Sequence, residues 1–317
     1  MDLVISIVSW NTRDLLRKCL ESLAAHCDEN MRIAVFDNAS SDGTPEMIRR
    51  EFPAVALVET GKNLGFGRAH NLVADHFSDS AVLFLNPDTE LVENAPARML
   101  DVLARRPEVA AVSCRMIDGD GRVQPLGMQM LTSPWSEFLS AFLVSQRSMR
   151  WVKGLLPFHD PSVSGPVRKL YGGCLMVRRE ALDEVGWFDE RFFMYGEDVD
   201  LCRRLEARGW KLYFLSSTKV VHLCGGASER APGRFAVLMG CESIAKLMRK
   251  YYGALGHAVY VVTILGRAVV RLLIAAVVRL LRAVSGRPPN EELTNSIHKH
   301  LAMLRWALRL ESPRIPQ

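Results

Sequence analysis

Four short, largely apolar runs stand at 3–9 (LVISIVS), 32–36 (RIAVF), near 55–59 and at 81–85 (AVLFL), and polar and amphipathic segments separate them. Runs this short and this apolar fit strands buried on both faces, the property of a parallel sheet. Between the first two, Leu15, Leu16, Cys19, Leu20 and Leu23 recur at helical spacing, with Asn11 or Thr12 placed to cap the helix. Helices are also expected to about Glu51 and over about 66–76. The result is β-α-β-α-β-α-β within 85 residues, an α/β chain with a doubly wound parallel sheet. Sheets of this kind bind ligands beyond the carboxyl ends of their strands.

The pattern continues with a helix at about 93–106 and a strand at 109–113. Residues 114–169 lose regularity and read as an insertion near the site, with apolar pieces such as Phe138 to Val144. Order returns at 170–178 (LYGGCLMVR). A helix is then expected from Glu197 to Ala207, followed by strands near 211–215 and 219–222.

Polar clusters follow the strand ends. Asp37-Asn38-Ala39-Ser40-Ser41-Asp42-Gly43 stands between a strand and a helix, where side-chain acceptors and helix N–H groups can meet a nucleotide. Asn63-Leu64-Gly65-Phe66-Gly67-Arg68-Ala69-His70-Asn71 offers two glycines for close backbone approach and a guanidinium for a phosphate. It is not a dinucleotide fingerprint, because GxGxxG is incomplete and misplaced. Asn86-Pro87-Asp88-Thr89-Glu90 sets a carboxylate just past an apolar strand, a place suited to a hard divalent cation. Near Phe192-Phe193-Met194-Tyr195, an aromatic run ends in Glu197, Asp198 and Asp200, and apolar surroundings tune closely spaced acids as bases. His222 follows Val220-Val221. Each cluster taken alone is also ordinary turn, cap or core chemistry.

Taken in order, DNASSDG, NLGFGRAHN, LNPDTEL, GGCLMVRREAL, GWFDERFFMYGEDVDLCRRL and VVHLCGG resemble family 2 glycosyltransferases of the GT-A fold, nearest the rhamnosyltransferase-like branch. The likeness covers about residues 1–226, and GEDVDLCRR is its most specific part. It implies a Rossmann-like, mostly parallel sheet flanked by helices, a nucleotide-sugar donor and a single displacement with inversion. It also implies a divalent metal, Mg or Mn, on Asp88, with Asn86 standing where Asp is commoner. His222 matches a metal-binding His of related galactofuranosyl-transferring members. Asp198, the second acid of the Glu197-Asp198 pair, takes the role of base. Asp37, Asn38, Asn63 and, as the weakest transfer, Arg68 fall to the donor. The implied donor is dTDP-rhamnose, with a UDP-linked hexose or galactofuranose as alternatives.

The net charge of +5 is unevenly placed. Residues 249–317 carry 11 Lys+Arg against 3 Asp+Glu, and residues 1–248 carry 29 against 32. The excess belongs to the tail, so it is no nucleic-acid footprint of the whole chain. Seven Cys with no CxxC pair fit neither a disulfide framework nor a zinc ribbon, and a reduced, cytoplasmic setting is expected. The N-terminus shows no signal-peptide pattern.

From His257 to Val284 the chain is apolar but for Arg267, Arg271, Arg279 and Arg282, which lie within an arc of roughly 120° on a helix. Four Arg in a spanning helix would be costly. A helix lying in the membrane interface, on the inner face of the cell membrane, is expected instead, with a core helix or a homodimer contact as alternatives. The C-terminal region over 227–317 is expected to be a helical, basic, amphipathic appendage at the membrane, and this favours a polyprenyl-diphosphate-linked glycan as acceptor, in cell-envelope polysaccharide assembly. Two rival readings are a non-catalytic, membrane-bound nucleotide-binding scaffold and a sugar nucleotidyltransferase. The first would need a lost base or metal residue; the second usually needs a Gly-rich basic loop where Ser9-Trp10-Asn11-Thr12 stands.

Overall fold

The computed structural model describes residues 1–124, 132–142, 159–223, 234–286, 288 and 290–315. Cys224-Gly225-Gly226, and the end of the Phe138 to Val144 run, lie outside them. The chain divides into two compact units. The first holds the described residues of 1–131 and 157–230, the second those of 132–156 and 231–316.

The first unit is a nine-stranded sheet with helices between its strands. Its elements are β1 (Leu3–Ser9), α1 (Arg13–His26), β2 (Arg32–Asp37), α2 (Thr44–Glu51), β3 (Ala56–Glu59), α3 (Phe66–Asn71), α4 (Val73–His76), β4 (Ala81–Leu85), β5 (Thr89–Leu91), α5 (Ala95–Arg105) and β6 (Val109–Ile117). After α6 (Pro134–Phe142), which falls in the second unit, come β7 (Gly165–Val167), β8 (Cys174–Arg178), α7 (Arg179–Val185), α8 (Glu197–Ala207) and β9 (Lys211–His222). The order is β3-β2-β1-β4-β8-β6-β9-β5, with β7 also on β9.

The first four strands are parallel, as their apolar runs predict. Ile7 aligns with Val35 on one side and Leu85 on the other. β1 and β4 are buried at every residue, whereas edge strand β3 is half exposed. Beyond β4 the sheet is mixed, because β8 runs antiparallel between β4 and β6. Helices cover both faces and close two apolar clusters, one around Leu16, Leu20 and Met99, the other around Val73, Leu182 and Leu201. Each fully buried Leu or Phe contributes about 1.5–3 kcal/mol, so these clusters hold the carboxyl-end loops on a stiff base.

Three local expectations change. The segments 211–215 and 219–222 form one strand with a register jump: Cys114 pairs Leu215, and the next pair is Arg115 with Lys219. The displaced Thr218 hydroxyl and Lys219 amide both bond Glu93 Oε1 at 2.9 Å, so a carboxylate holds the bulge. Thr12 occupies the cap position of α1 but does not cap it, because its hydroxyl meets Ser9 Oγ at 2.9 Å. The Arg13 amide is bonded instead by Asp42 Oδ2, 29 residues away. Within 114–169, β6 runs on to Ile117, β7 joins the sheet and α6 groups with the C-terminal helices.

The second unit is helical. α9 (Phe235–Val284) breaks at Gly253, whose φ of 64° is open to glycine alone at little cost, and α10 (Glu291–Ala307) packs on it. Asn290 caps α10 by accepting the Leu293 amide at 3.1 Å, ahead of Glu291 and Glu292 in the first turn. Leu238, Met248, Tyr260 and Ile264 pack with Ala302, Met303 and Trp306. Beyond the break α9 keeps an uncovered aliphatic face, with Val262 66% and Leu273 63% exposed. An 18-residue stretch of this helix has a mean hydropathy of 2.3 and is 22% buried, long and apolar enough to cross a membrane.

Candidate active site

The loops after β1 and β2 are tied to each other before they meet any ligand. Asn11, at a φ of 53°, accepts the Ser41 amide at 2.8 Å, and its own amide donates to Ser40 Oγ at 2.8 Å. Asp37 ends β2 buried, with Oδ2 accepting the Ser40 amide at 2.9 Å and Oδ1 buried without a hydrogen-bond partner. Burial pushes its carboxyl above the ordinary range. Asn38 is tied down at both ends of its amide: its Nδ2 donates to Gly65 O at 3.0 Å, and its Oδ1 accepts Thr60 Oγ1 and the Leu64 amide. Asn38 therefore fixes the 63–65 loop to the end of β2. Asn63 accepts the Gly65 amide at 3.1 Å in a local turn.

Gly65 is the tightest point of this frame. At a φ of +83°, a Cβ here would lie 2.2 Å from Phe193 O, the carbonyl that accepts the Phe66 amide at 2.8 Å. Gly65→Ala adds left-handed strain and a backbone clash, together about 2–4 kcal/mol. Thermal unfolding should show a Tm lowered by roughly 5–15 °C; an unchanged Tm would mean the approach is not rigid.

The second group crosses the carboxyl edge of the sheet. The Asn86 amide donates to Gly173 O at 3.0 Å, and after Asp88 the chain enters β5, where Thr89 pairs with His222 at the end of β9. This crossing brings Asp88 Oδ1 to 3.3 Å from His222 Nε2, both side chains largely buried. Gln124 sets the ring: His222 Nδ1–H donates to Gln124 Oε1 at 3.0 Å, and Gln124 Nε2 returns a bond to His222 O at 2.8 Å. The Nε2 lone pair is thereby turned towards Asp88, where it accepts Asn86 Nδ2–H at 3.2 Å. Neutral Asn86 holds the imidazole, which an Asp at this position would do by charge.

The third group is the acid pair that opens α8, behind Gly196 in the left-handed region. Asp198 Oδ2 accepts the Gly172 amide at 3.1 Å and Oδ1 the Val199 amide at 2.8 Å. Glu197 lies deeper, with Oε2 buried and no hydrogen-bond partner. Burial first, and the Asp198 charge next, push Glu197 well above the ordinary carboxylate range; burial raises Asp198 as well. The Gly172 and Val199 amides and the Lys169 charge counter burial at Asp198. At Glu197, burial and the neighbouring acids outweigh its own backbone bonds, so the charged form is favoured more on Asp198 than on Glu197.

Adjacent glycines join the second and third groups. Gly173 bonds Asn86, and a Cβ on it would sit 3.4 Å from Asn86 Nδ2 and 3.6 Å from His222 Nε2. Gly172 bonds Asp198, and a Cβ on it would sit 3.6 Å from the Asp198 Cβ. Asp198, Asn86, Asp88 and His222 thus gather at one edge of the sheet. Arg68 does not join them by any described bond: its Nε lies 3.3 Å from Glu190 Oε2 with both side chains about half exposed. Among the described residues no group of three or more His, Cys, Asp or Glu gathers as a metal cluster. Gln124 was not foreseen, since 98 residues separate it from His222 and no local pattern marks it. The glycine pair was visible as a motif, but its place between the acids was not.

Comparisons with known proteins give the family of the chain. Residues 4–186 match the glycosyl transferase family 2, and residues 156–224 match the N-terminal domain of galactosyltransferase. The N-acetylglucosaminyl-diphospho-decaprenol L-rhamnosyltransferase of Mycobacterium tuberculosis is 32% identical over 244 residues, covering 73% of this chain and 78% of its own. Rhamnosyltransferase WbbL of Escherichia coli K12 is 25% identical over 225 residues, covering 69% and 82%. Among solved structures, a mannosyltransferase of Pyrobaculum calidifontis in complex with GDP-Man and Mn2+ superposes with a TM-score of 0.59 at 16% identity, covering 98% of this chain and 86% of that one. The fold is that of the GT-A glycosyltransferases. The chain belongs to glycosyltransferase family 2, in its rhamnosyltransferase branch.

Proposed function

We propose that the chain is an inverting glycosyltransferase that moves rhamnose from dTDP-rhamnose to a lipid-linked glycan, in cell-envelope polysaccharide synthesis at the cytoplasmic face of the membrane. The observation that carries this reading is the glycine pair 172–173, with Asp198 on one side and Asn86, Asp88 and His222 on the other. Their gathering on one edge supports reading Asp198 as the base and Asp88 with His222 as the cation-binding pair. The two relatives named above supply the sugar, and the mycobacterial one the diphospho-lipid acceptor.

Asp198 takes the proton from the acceptor hydroxyl as that oxygen attacks the anomeric carbon and the nucleoside diphosphate leaves. Neutral Glu197 beside it keeps a second charge out of the pocket. Asp37, Asn38 and Asn63 form the donor end, where the unsatisfied Asp37 Oδ1 awaits a donor hydrogen from the nucleoside. Arg68 is a further donor contact once it exchanges Glu190 for a phosphate.

Asp88 and His222 fit a divalent ion, Mg or Mn. Two ligands about 2.1 Å from one cation and at right angles lie about 3 Å apart, close to the 3.3 Å between Asp88 Oδ1 and His222 Nε2. Asp88 Oδ1 and His222 Nε2 would hold such an ion beside the donor phosphates. Such an ion supplies charge stabilisation for the departing diphosphate. Gln124 and Asn86 hold the His222 ring, whose Nε2 would be the atom that holds the ion.

The second unit serves the lipid-linked acceptor. The aliphatic face of α9 beyond Gly253 lies in the membrane interface, since four Arg along one helix disfavour a full span.

A thermal-shift screen of nucleotide sugars with and without Mn2+ tests the donor. Stabilisation follows occupancy, so dTDP-rhamnose with metal should raise Tm more than UDP-glucose or UDP-galactofuranose. A larger shift with a UDP-sugar would replace the donor and leave the rest of the reading in place.

A further inference from the structure

The second unit holds a group of cations that sugar transfer does not use. Arg267 and Arg271, four residues apart on α9, are half-buried on the side that carries Ile264 and Ala268, the side packed on α10. Lys299 and His300 belong to α10. The Arg267 charge bears on Lys299, and those of Arg267, Lys299 and Arg271 bear on His300. His300 Nδ1 is occupied by Ser296 O at 2.7 Å.

Arg267 Nε is buried without a hydrogen-bond partner, and none of Arg267, Arg271 and Lys299 has a carboxylate at ion-pair distance among the described residues. Glu137 of α6 is the acid whose field reaches the neighbouring Cys241 and Tyr260, one negative charge against three positive ones. A buried guanidinium N–H without an acceptor is costly, and like charges side by side add to that cost. An anion with several acceptor oxygens would remove both costs. Next to the cluster, Val269, Val270, Leu273, Ile274 and Val277 stand 42–63% exposed on the outer face of the same helix.

We propose that Arg267, Arg271 and Lys299 form a binding site for the phosphate or diphosphate group of a membrane lipid, whose hydrocarbon chain lies along the exposed aliphatic face of α9. The phosphate chemistry stands by itself; only the choice of a lipid-linked acceptor as its bearer rests on the function proposed above.

The test uses the full-length protein in flotation with phosphatidylcholine vesicles containing either phosphatidylglycerol or undecaprenyl diphosphate. Arg271→Gln with Lys299→Gln removes two charges from the cluster and leaves half-buried Arg267 to support the fold. Arg279→Gln with Arg305→Gln removes the same charge from the same two helices elsewhere. The cluster pair should lower binding by about tenfold and the control pair by no more than about threefold. Loss confined to undecaprenyl diphosphate identifies the acceptor lipid, and loss with both lipids identifies headgroups in general. Inorganic pyrophosphate should compete with vesicles for the unaltered protein and not for the cluster variant. Equal losses in the two variants, with no competition by pyrophosphate, would overturn the site and leave only a diffuse surface charge. Transfer to a water-soluble acceptor, measured in parallel, should be unchanged in both variants, so failure of the lipid site and failure of the transferase reading are told apart.

Discussion

Asp198→Asn should lower kcat by about 10²–10⁴-fold while nucleotide affinity and Tm stay close to those of the unaltered protein. The substitution is nearly isosteric, and its Oδ1 can still accept the Gly172 or the Val199 amide. What is lost is the acceptor for the proton of the attacking hydroxyl. The pH dependence follows from the same pair. Burial raises Asp198, so kcat/KM should fall as pH falls, with a midpoint above the ordinary carboxylate range. Glu197 is raised further and is already neutral there, so Glu197→Gln should keep both the acidic limb and most of the turnover. If Glu197→Gln were inactive and Asp198→Asn active, the roles of the two acids would be exchanged.

Much of the fold was legible because its signals are local. β1, β2 and β4 match their apolar runs, and α8 begins and ends at Glu197 and Ala207 as expected. Such a run needs no distant partner to be recognised as a buried strand. The places that were not legible depend on partners far along the chain. Asp42 serves the α1 amide in place of Thr12, and Glu93 converts two strand-like pieces into one bulged β9. Sequence spacing says nothing of either bond. α10 lies in the tail that was expected to be helical, but its own bounds were not drawn, although Asn290 and two following acids mark its start.

The site divides in the same way. Asp88 and His222 were paired through family likeness, and the crossing of residues 86–88 explains their meeting at 3.3 Å. Asn38 was expected at the donor end, and in addition it ties Thr60, Leu64 and Gly65 to the end of β2.

Asp88→Ala has the second large expected effect. The variant leaves His222 as a lone neutral ligand, and a single imidazole does not hold Mg2+ or Mn2+ against water. Affinity for a nucleoside diphosphate should then be the same with and without metal, at a level about 10–100-fold weaker than that of the unaltered protein with Mn2+. His222→Ala should act in the same direction. Gln124→Ala should act more weakly, because it frees the ring without removing the ligand.

The central claim is that one edge of the sheet holds a cation pair and a base with separate duties. Titration calorimetry of dTDP with and without Mn2+, paired with turnover, on the unaltered protein, Asp88→Ala and Asp198→Asn tests it most directly. The expected result is metal-dependent binding in the unaltered protein and in Asp198→Asn, its loss in Asp88→Ala, and turnover lost in both variants. Metal-dependent binding that survives Asp88→Ala, or turnover that survives Asp198→Asn, would contradict it.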